Sequence, residues 1–261
     1  MAHLLGIDTG GTYTDAVLLD DEIDSIVARA KSLTTRPDLA IGIGAAIDGV
    51  LEESELAATA ISMVSLSTTL ATNALVEGQG GRVALVFIGF DKAELDKADL
   101  ADALNGDPVV IVEGGHSHSG AEFLPLDLDA LYSALESISV PVTGVAIASR
   151  FATRNSAHEV AARDLVREIL DVPVTCSHEL SAALGGPKRA LTAVLNARLV
   201  GLIAGLITAT EHHISLRGIN ARLMVVRGDG ALISAELARE RPIETILSGP
   251  AASIAGAQWL T

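Results

Sequence analysis

The feature that most constrains the fold is a run of three strand-like segments before the first helical pattern. "HLLGID" and "DAVLLD" are apolar segments separated by a Gly-Gly turn, and Asp24–Leu33 ("DSIVARAKSL") supplies a third strand. A Rossmann domain begins differently, because its first strand leads directly into a helix. The opening therefore excludes a Rossmann start and favours a strand–turn–strand arrangement.

Strands and helices alternate along the rest of the chain. Such alternation predicts an α/β fold with a substantially parallel sheet. A first helix is expected to begin at Pro37, because proline suits the first helical position. Further strands are predicted at Ile61–Leu66, Arg82–Ile88, Pro108–Val112, Gly144–Ala148, Val172–Thr175 and Arg222–Val226, and helices at Thr68–Glu77, Leu126–Glu136, Ser156–Leu170 and from about Gly249.

The most apolar segment of the chain is Ala190–Thr210. Asn196 and Arg198 interrupt it, so the uninterrupted apolar part is too short to span a bilayer. Gly201 and Gly205 form a pair of small residues four positions apart, a spacing that also occurs where membrane helices pack. We expect a buried helix of a soluble protein, in which the two glycines allow a neighbouring element to approach closely.

Composition and charge exclude several classes of partner. Hydrophobic residues make up 49% and charged residues 20% of the 261 positions, as in a globular protein. The net charge of −15 repels nucleic acid and anionic membranes, and 3% aromatic residues provide no stacking platform for bases. A single cysteine rules out an internal disulfide, and no signal peptide is recognisable, so a cytoplasmic location is expected.

The turn between the first two strands, "GIDTGGTYTD", has the composition of a phosphate-binding loop. Gly10 and Gly11 permit unusual backbone conformations and let a ligand approach the main chain. Thr9, Thr12 and Thr14 add hydroxyl groups, and the amides of such a turn can point into one concavity. The alternative is a hairpin turn without a ligand, for which Gly-Gly is also suitable.

Asp8 lies at the end of the first apolar strand and Asp15 just beyond the turn. A bare carboxylate about 4 Å from a phosphate would be repelled by about 4 kcal/mol at an effective dielectric constant of about 20. Mg²⁺ between the two groups, bridging through water, would remove this repulsion. The acids therefore favour a metal–phosphate site over a simple turn, with Asp8 at the metal.

A second polar segment is "SLSTTLATNALVEG", where a strand gives way to a helix near Thr68. Ser67 is placed to cap that helix, and Thr68, Thr69 and Asn73 make its start unusually polar. Free amides at a helix start can bind an anion. A serine or threonine cap with nothing bound explains the segment equally well.

The loop "EGGHSHSG" brings two histidines together. If it is extended, His116 and His118 point the same way and could share a metal ion, with Glu113 or Glu122 nearby. A flexible polar loop is the simpler interpretation, and a loop that lines a substrate pocket lies between the two.

Three further motifs have simple structural interpretations. "TCSHEL" places Cys176 near a histidine and a glutamate, but neighbouring positions do not produce triad geometry, so we expect a buried thiol with Ser177 or Ser181 as helix caps. "VRGDG" and "SGPA" are glycine-bearing turns at element boundaries, expected to reverse the chain and to start a helix.

Several of these segments together resemble the hydantoinase A/oxoprolinase family, which includes N-methylhydantoinase, 5-oxoprolinase and acetone carboxylase subunits. The ordered set covers almost the whole chain. Tyr13 stands where the family usually has phenylalanine in its phosphate motif. The segments in question are "GIDTGGTYTDAVL", "STTLATNALVEG", "GGH" followed by "PLD", "SHEL", "LTAVLNA", "RGDG" and "RPIETILSGPAA".

The resemblance implies one lobe of an actin-like ATPase (ribonuclease H-like) fold, a mixed sheet flanked by helices. It assigns residues 1–180 to the family's N-terminal phosphate-binding region and 181–261 to the start of the hydantoinase A region. Family members continue into a second lobe with a second Asp-x-Gly-Gly-Thr loop, and this sequence contains that motif once, at residues 8–12. We therefore expect the chain to be part of a longer protein, which also explains why it ends directly after Trp259 and Leu260.

The implied activity is ATP-dependent hydrolysis of a cyclic amide, such as a hydantoin or 5-oxoproline, through phosphorylation of a carbonyl oxygen. Under this hypothesis Asp8 makes the Mg²⁺-water contact, and Asp15 orients the loop or a water. The phosphate contacts fall to Gly10, Gly11 and Thr12, together with Thr14. Thr68, Thr69 and Asn73 lie near the phosphates or the substrate, and His116 lies in a substrate loop.

Two other functions remain open from the sequence. One is a phosphotransferase of the sugar- or carboxylate-kinase type on the same fold. The other is a non-catalytic nucleotide-binding lobe or assembly subunit. A partner subunit or domain of the hydantoinase B type is expected for the enzyme, together with a small-molecule carbonyl substrate and no nucleic acid or membrane.

Overall fold

The computed structural model describes residues 3–35 and 39–259. Pro37, the expected start of the first helix, lies outside these residues. The strands are β1 His3–Thr9, β2 Tyr13–Asp20, β3 Ser25–Leu33, β4 Ile61–Thr68, β5 Val83–Ile88, β6 Val109–Val112, β7 Gly144–Ser149, β8 Val174–Cys176, β9 Arg222–Val226 and β10 Leu232–Ser234.

Helices fill the intervals between most strands. The α-helices are α1 Leu39–Ser54, α2 Leu70–Val76, α3 Leu100–Leu104, α4 Leu128–Glu136, α5 Ala157–Ile169, α6 Ser177–Leu180, α7 Gly186–Leu216, α8 Ala235–Glu240 and α9 Ser248–Trp259. Short 3₁₀ helices occupy Ala58–Ala60, Lys92–Glu94, Lys97–Asp99 and Pro242–Thr245.

The chain divides into two compact units. Unit 1 comprises residues 1–79 and 202–261, and unit 2 comprises residues 80–201. The boundary falls inside α7. The compact units thus follow different bounds from the family regions expected from the sequence, 1–180 and 181–261, and those regions stay a prediction.

Unit 1 is built on a six-stranded mixed sheet in the order β10-β9-β4-β1-β2-β3. The three-strand opening is confirmed: β1, β2 and β3 are consecutive antiparallel neighbours. β4 joins β1 in parallel, and β9 joins β4 in parallel. The carboxyl ends of β1 and β4 therefore meet at one edge of the sheet, beside the turn between β1 and β2.

Unit 2 contains a four-stranded, wholly parallel sheet in the order β6-β5-β7-β8. β5 and β7 are buried along their whole lengths, which explains their continuous apolar sequences. α3 and the first part of α7 pack on one face, and α4 and α5 pack on the other. This confirms the α/β layering predicted from the alternation of elements.

The long helix α7 differs from its prediction at one point. This helix is long and apolar enough to cross a membrane, with a mean hydropathy of 1.9 over its most apolar 18 residues. Core helices of soluble proteins have the same length and composition, and half of these 18 residues are buried within the protein. A Cβ added at Gly201 or Gly205 would meet no described atom within 4 Å. The expectation that these glycines allow close approach of a neighbour is therefore wrong for the part of the chain that the structure describes.

Candidate nucleotide site and a second polar cluster

The turn between β1 and β2 is a tight hairpin. The Gly10 amide donates to the Tyr13 carbonyl over 2.9 Å and leaves Gly11 and Thr12 exposed at the tip. Neither glycine has a positive φ, so conformational freedom is not what requires them. A Cβ at Gly10 would lie only 3.1 Å from the Tyr13 carbonyl oxygen. Glycine is needed there because the backbone closes on itself, and the hairpin itself provides the open tip.

Asp8 and Asp15 lie directly opposite each other on the paired strands. Like charges in this position destabilise a sheet. The Lys31 ammonium is 3.0 Å from Asp15, and the Ser67 hydroxyl donates to Asp8 over 2.7 Å. Within residues 3–35 and 39–259 no basic side chain pairs with Asp8. Among the described side chains, the hydrogen-bond partner of Asp8 is thus the Ser67 hydroxyl.

The start of α9 lies beside Asp8. The Ser248 hydroxyl donates to the Thr68 carbonyl over 2.9 Å and accepts from the Thr68 amide over 3.2 Å, which ties the helix start to the end of β4. A Cβ at Gly249 would come within 2.9 Å of Thr69 Cγ2 and 4.0 Å of Asp8 Oδ1. From the sequence we expected "SGPA" only to start a helix. The segment also places the helix N-terminus, which favours anions, against the Asp8 carboxylate.

Two of the threonines proposed for the site have inward-facing hydroxyls. Thr14 is fully buried, and its hydroxyl is 3.1 Å from that of Thr34. Thr68 is also buried, where it donates to the Thr9 carbonyl over 2.9 Å. Neither hydroxyl reaches the exposed hairpin tip that Thr12 occupies. Both stabilise the edge of the sheet from within.

The segment after β4 begins its helix later than expected. β4 continues to Thr68, and α2 starts at Leu70 with Thr69 before it. Ser67 is therefore a strand residue bonded to Asp8, and the prediction that it caps the helix is wrong. Asn73 Nδ2 donates to the Thr69 hydroxyl over 3.3 Å, so these two predicted site residues form one half-buried polar pair near Asp8.

These groups fit a magnesium–phosphate ligand. Carboxylate oxygens are the donors that Mg²⁺ prefers, and Asp8 carries one that lacks a basic partner among the described residues. Gly249 leaves room beside Asp8 that any side chain would fill. Asp8 would hold the metal through water, and the exposed tip at Gly11 and Thr12 would face the phosphates.

A second cluster, which the sequence did not reveal, lies in unit 2 around Glu159. This side chain is completely buried, yet all of its acceptor positions are used. Oε1 accepts from the Ser149 amide at 2.7 Å and the Ser177 hydroxyl at 2.6 Å. Oε2 accepts from the His178 amide at 3.0 Å and lies 2.6 Å from His178 Nδ1. These four contacts fix the orientation of the buried carboxylate.

Arg189 supplies the opposite charge of this cluster. It is 1% exposed and donates to the carbonyls of Ala183, Leu184 and Ser149 at 2.7–2.9 Å. Its Nε donates to the Ser177 hydroxyl at 3.3 Å, which in turn bonds Glu159. Burial lowers the pKa of Arg189, and the nearby charge of Glu159 acts in the opposite direction. The two buried charges are thus compensated through a shared hydroxyl.

Glu159, Cys176 and His178 also lie close enough to resemble a metal site, with ligand atoms within 4.8 Å of one another. The chemistry argues against one. Burial raises the pKa of the Cys176 thiol, which donates to the Glu159 carbonyl at 3.7 Å. The four donors around Glu159 already occupy the lone pairs of its carboxylate, so it has none left to offer a metal ion. Cys176 is the buried thiol expected from the sequence.

The "EGGHSHSG" loop does not form a two-histidine site. His116 is buried and its ring lies 4.3 Å from that of His158, whereas His118 is exposed. Desolvation, followed by the neighbouring His158, lowers the pKa of His116. His158 accepts from the Gly115 amide at 2.8 Å and lies 2.9 Å from Glu122. His116 therefore packs inside its loop and does not share a metal position with His118.

Two family models match the sequence. One describes the hydantoinase/oxoprolinase N-terminal region and matches residues 4–170, and the other describes hydantoinase/oxoprolinase and matches residues 189–261. The chain belongs to the hydantoinase/oxoprolinase family. This confirms the resemblance inferred from the ordered motifs.

Relatives within the family are large subunits of enzymes. The chain is 30% identical over 96% of its length to the caprolactamase subunit alpha of Pseudomonas jessenii, of which it covers 39%. It is 27% identical over 98% of its length to the acetophenone carboxylase gamma subunit of Aromatoleum aromaticum, of which it covers 38%. The chain thus spans about two fifths of the length of these hydantoinase/oxoprolinase relatives.

Solved structures show the fold. Nucleotide-free acetone carboxylase superposes over 98% of the chain and 40% of its own length, with a TM-score of 0.85 at 22% identity. The ATP-dependent caprolactamase of Pseudomonas jessenii superposes over 95% of the chain and 39% of its own, with a TM-score of 0.76 at 28% identity. The hydantoinase/oxoprolinase chain therefore has the actin-like ATPase fold that the family resemblance implied.

Proposed function

We propose that the protein is an ATP-dependent hydrolase of a cyclic amide, to which residues 1–261 contribute one phosphate-binding hairpin. The observation that carries the proposal is the environment of Asp8. This carboxylate lies opposite Asp15, beside a glycine-opened helix start and without a basic partner among the described residues. The similarity to an ATP-dependent caprolactamase supports a cyclic amide as the substrate class.

Mg·ATP would supply a γ-phosphoryl group that activates the amide carbonyl oxygen. Asp8, whose carboxylate accepts from the Ser67 hydroxyl at 2.7 Å, would hold the metal through water. Gly10, Gly11 and Thr12 present the backbone of the hairpin tip to the phosphates, and Asp15, paired with Lys31, maintains the hairpin beside Asp8. Thr69 and Asn73 form a polar pair available to the nucleotide or the substrate.

Thr14, Thr68 and His116 have supporting roles in this proposal. Their polar atoms lie in the interior of the protein, where they pack or bond to the backbone. We place none of them in direct contact with ATP or the amide. The enzyme is proposed to act in the cytoplasm. A second subunit is proposed because the named relatives are subunits of larger enzymes.

A ketone carboxylase is the second candidate, because acetone and acetophenone carboxylase subunits are also relatives. In both reactions a carbonyl-derived oxygen would be phosphorylated. The hydrolase adds water to the activated carbon, whereas the carboxylase joins the activated enol to carbon dioxide.

The test measures ATP consumption by the full-length protein with its partner subunit. Lactams, hydantoins and 5-oxoproline are compared with ketones plus bicarbonate, and products are identified by mass spectrometry. Amide-dependent ADP formation with a ring-opened product supports the hydrolase, and ketone-dependent carboxylation supports the second candidate. Asp8→Ala should lower turnover at least about 100-fold, whereas Asp21→Ala, an exposed acid of the same unit, should not; unchanged turnover in Asp8→Ala contradicts the assignment.

A further inference from the structure

We propose that His178 is a general base in unit 2, held by Glu159 and serving to activate water for the hydrolysis. The pair lies at the carboxyl edge of the parallel sheet, just beyond β7 and β8. Ligand sites of open parallel sheets occupy that edge. The assignment rests on the proposed function for its hydrolytic role, whereas the geometry of the pair stands on unit 2 alone.

Hydrogen bonding fixes the proton on His178. Glu159 Oε2 accepts at 2.6 Å from His178 Nδ1, and the three other donors to Glu159 occupy its remaining lone pairs. Nδ1 must therefore carry the hydrogen, which leaves Nε2 as the acceptor. Nε2 has no hydrogen-bond partner within residues 3–35 and 39–259. A buried carboxylate that orients one imidazole nitrogen and leaves the other free is the arrangement of a general base.

His178 lines a cleft in unit 2. The His178 side chain is 19% exposed, in contrast to the fully buried Glu159. The cleft has a volume of about 240 Å³ and is lined by Ala152, Thr153, Arg154, Ser156, His178 and Ala182. The Thr153 hydroxyl oxygen is buried without a partner among the described residues. Small side chains, an unused hydroxyl and the Arg154 guanidinium suit a small polar reactant.

Backbone strain marks the same segment. Phe151 adopts φ 55° in the turn between β7 and the cleft residues. A positive φ is unfavourable for a bulky aromatic residue. Such strain persists only where the surrounding structure imposes it, and here the turn leads directly into Thr153 and Arg154. This independent feature supports a functional cleft over a simple loop.

Charged groups from three helices surround the imidazole. Glu159 comes from α5 and Glu179 from α6, where Arg163 of α5 pairs with Glu179 at 3.1 Å. Arg189 of α7 balances Glu159 through Ser177, and Arg154 lies on the cleft. The Cys176 thiol remains neutral because burial raises its pKa. Glu159 is thus the charge in direct contact with the ring.

The proposed step is a proton transfer coupled to addition. His178 Nε2 takes one proton from water, while the water oxygen forms a bond to the activated amide carbon. The π electrons of the C=N bond move to the ring nitrogen of the substrate, and the imidazolium returns the proton to that nitrogen. Water is thus added across C=N. The hydroxyl proton of the adduct then passes to the ring nitrogen, the C–N bond breaks and the amine leaves, and a second water cleaves the remaining acyl phosphate to carboxylate and phosphate. No oxidant or reductant is needed. Glu159 acts as a positioning residue that keeps Nδ1 protonated.

The decisive variant is His178→Asn, because its side-chain amide keeps an N–H donor toward Glu159 but lacks Nε2. In the full-length enzyme with its partner subunit, kcat for the amide should fall about 100-fold or more with an unchanged unfolding midpoint. The loss of rate on the acid side of the pH profile should disappear. His118→Asn, an exposed histidine of the same unit, should behave as wild type.

A chemical probe tests the base without turnover. Diethyl pyrocarbonate acylates unprotonated, accessible imidazole nitrogen, and mass spectrometry locates the product. His178 should react faster than the buried His116 and His158, because its side chain is more exposed. A His178 that resists the reagent in the folded protein overturns the proposal.

The outcomes separate this proposal from the proposed function. Amide-dependent turnover that persists in His178→Asn, with its acid-side pH dependence, overturns the role of His178 alone. No cyclic-amide turnover by the wild-type enzyme overturns the hydrolase and, with it, the activation of water at His178.

Discussion

The two units manage charge in opposite ways. In unit 1, Asp8 lies across from another carboxylate and has a single hydroxyl as its described side-chain partner. In unit 2, Glu159 is fully buried, yet four donors surround it and Arg189 balances it through Ser177. Asp8 therefore has one described side-chain donor, whereas Glu159 has four hydrogen-bond donors in all. In line with the proposed function, a ligand would complete the site in unit 1, whereas the described residues complete the cluster in unit 2.

Arg189→Met is the change expected to have the largest effect on stability. It leaves Glu159 as an uncompensated buried charge and deprives three carbonyls of their donor. We expect a loss of about 3–5 kcal/mol in the free energy of unfolding, measured by urea denaturation. Arg167→Met, at an exposed position of the same unit, should cost less than about 0.5 kcal/mol. Equal losses in the two variants would show that the cluster is not charge-balanced as described.

Two threonines of the hairpin should separate stability from ligand binding. Thr14→Val removes a buried hydroxyl bonded to Thr34 and should cost about 1 kcal/mol of stability, without changing the KM for ATP. Thr12→Val changes an exposed tip residue and should raise that KM several-fold at unchanged stability. Steady-state kinetics and urea denaturation check both. A higher KM in Thr14→Val together with a loss of stability in Thr12→Val would contradict the buried position of Thr14 and the exposed position of Thr12.

The smallest expected effect is a pH dependence of stability, which comes from the Cys176 thiol in unit 2. Burial raises the pKa of this thiol in the folded state, so the unfolded chain releases a proton at a lower pH. Stability should therefore fall as the pH rises through the unfolded value of about 8.5, by at most about 1.4 kcal/mol per pH unit. Cys176→Ala should lack this fall. Rapid native-state alkylation of Cys176 at pH 8 would contradict its burial.

Much of the fold could be predicted from the sequence because its signals are local. Apolar segments predicted β1 and β2 on either side of the Gly-Gly turn, and the same pattern predicted β5 and β7. The short strand β10 and the five-residue helix α3 escaped notice, because so few residues carry no clear periodicity. Ser67 was misjudged because β4 continues two residues beyond its apolar core.

The candidate site was only partly predictable. Asp8 and the glycines are adjacent in sequence, so their chemistry could be recognised there. The contact between Asp8 and Gly249 joins residues far apart in the chain, and the bonds from Glu159 to Ser177 and His178 join α5 to α6. "TCSHEL" places His178 beside polar residues in the sequence, but its carboxylate partner, Glu159, lies in a different helix.

Thermal unfolding of the full-length protein with and without Mg·ATP tests the central contrast most directly. Wild type should gain stability from the ligand, because binding to the folded state alone raises the midpoint. Asp8→Asn should unfold at the same temperature as wild type or higher without ligand, since it relieves repulsion with Asp15, and should gain little from Mg·ATP. A variant that is destabilised without ligand yet keeps the full Mg·ATP shift would contradict the account.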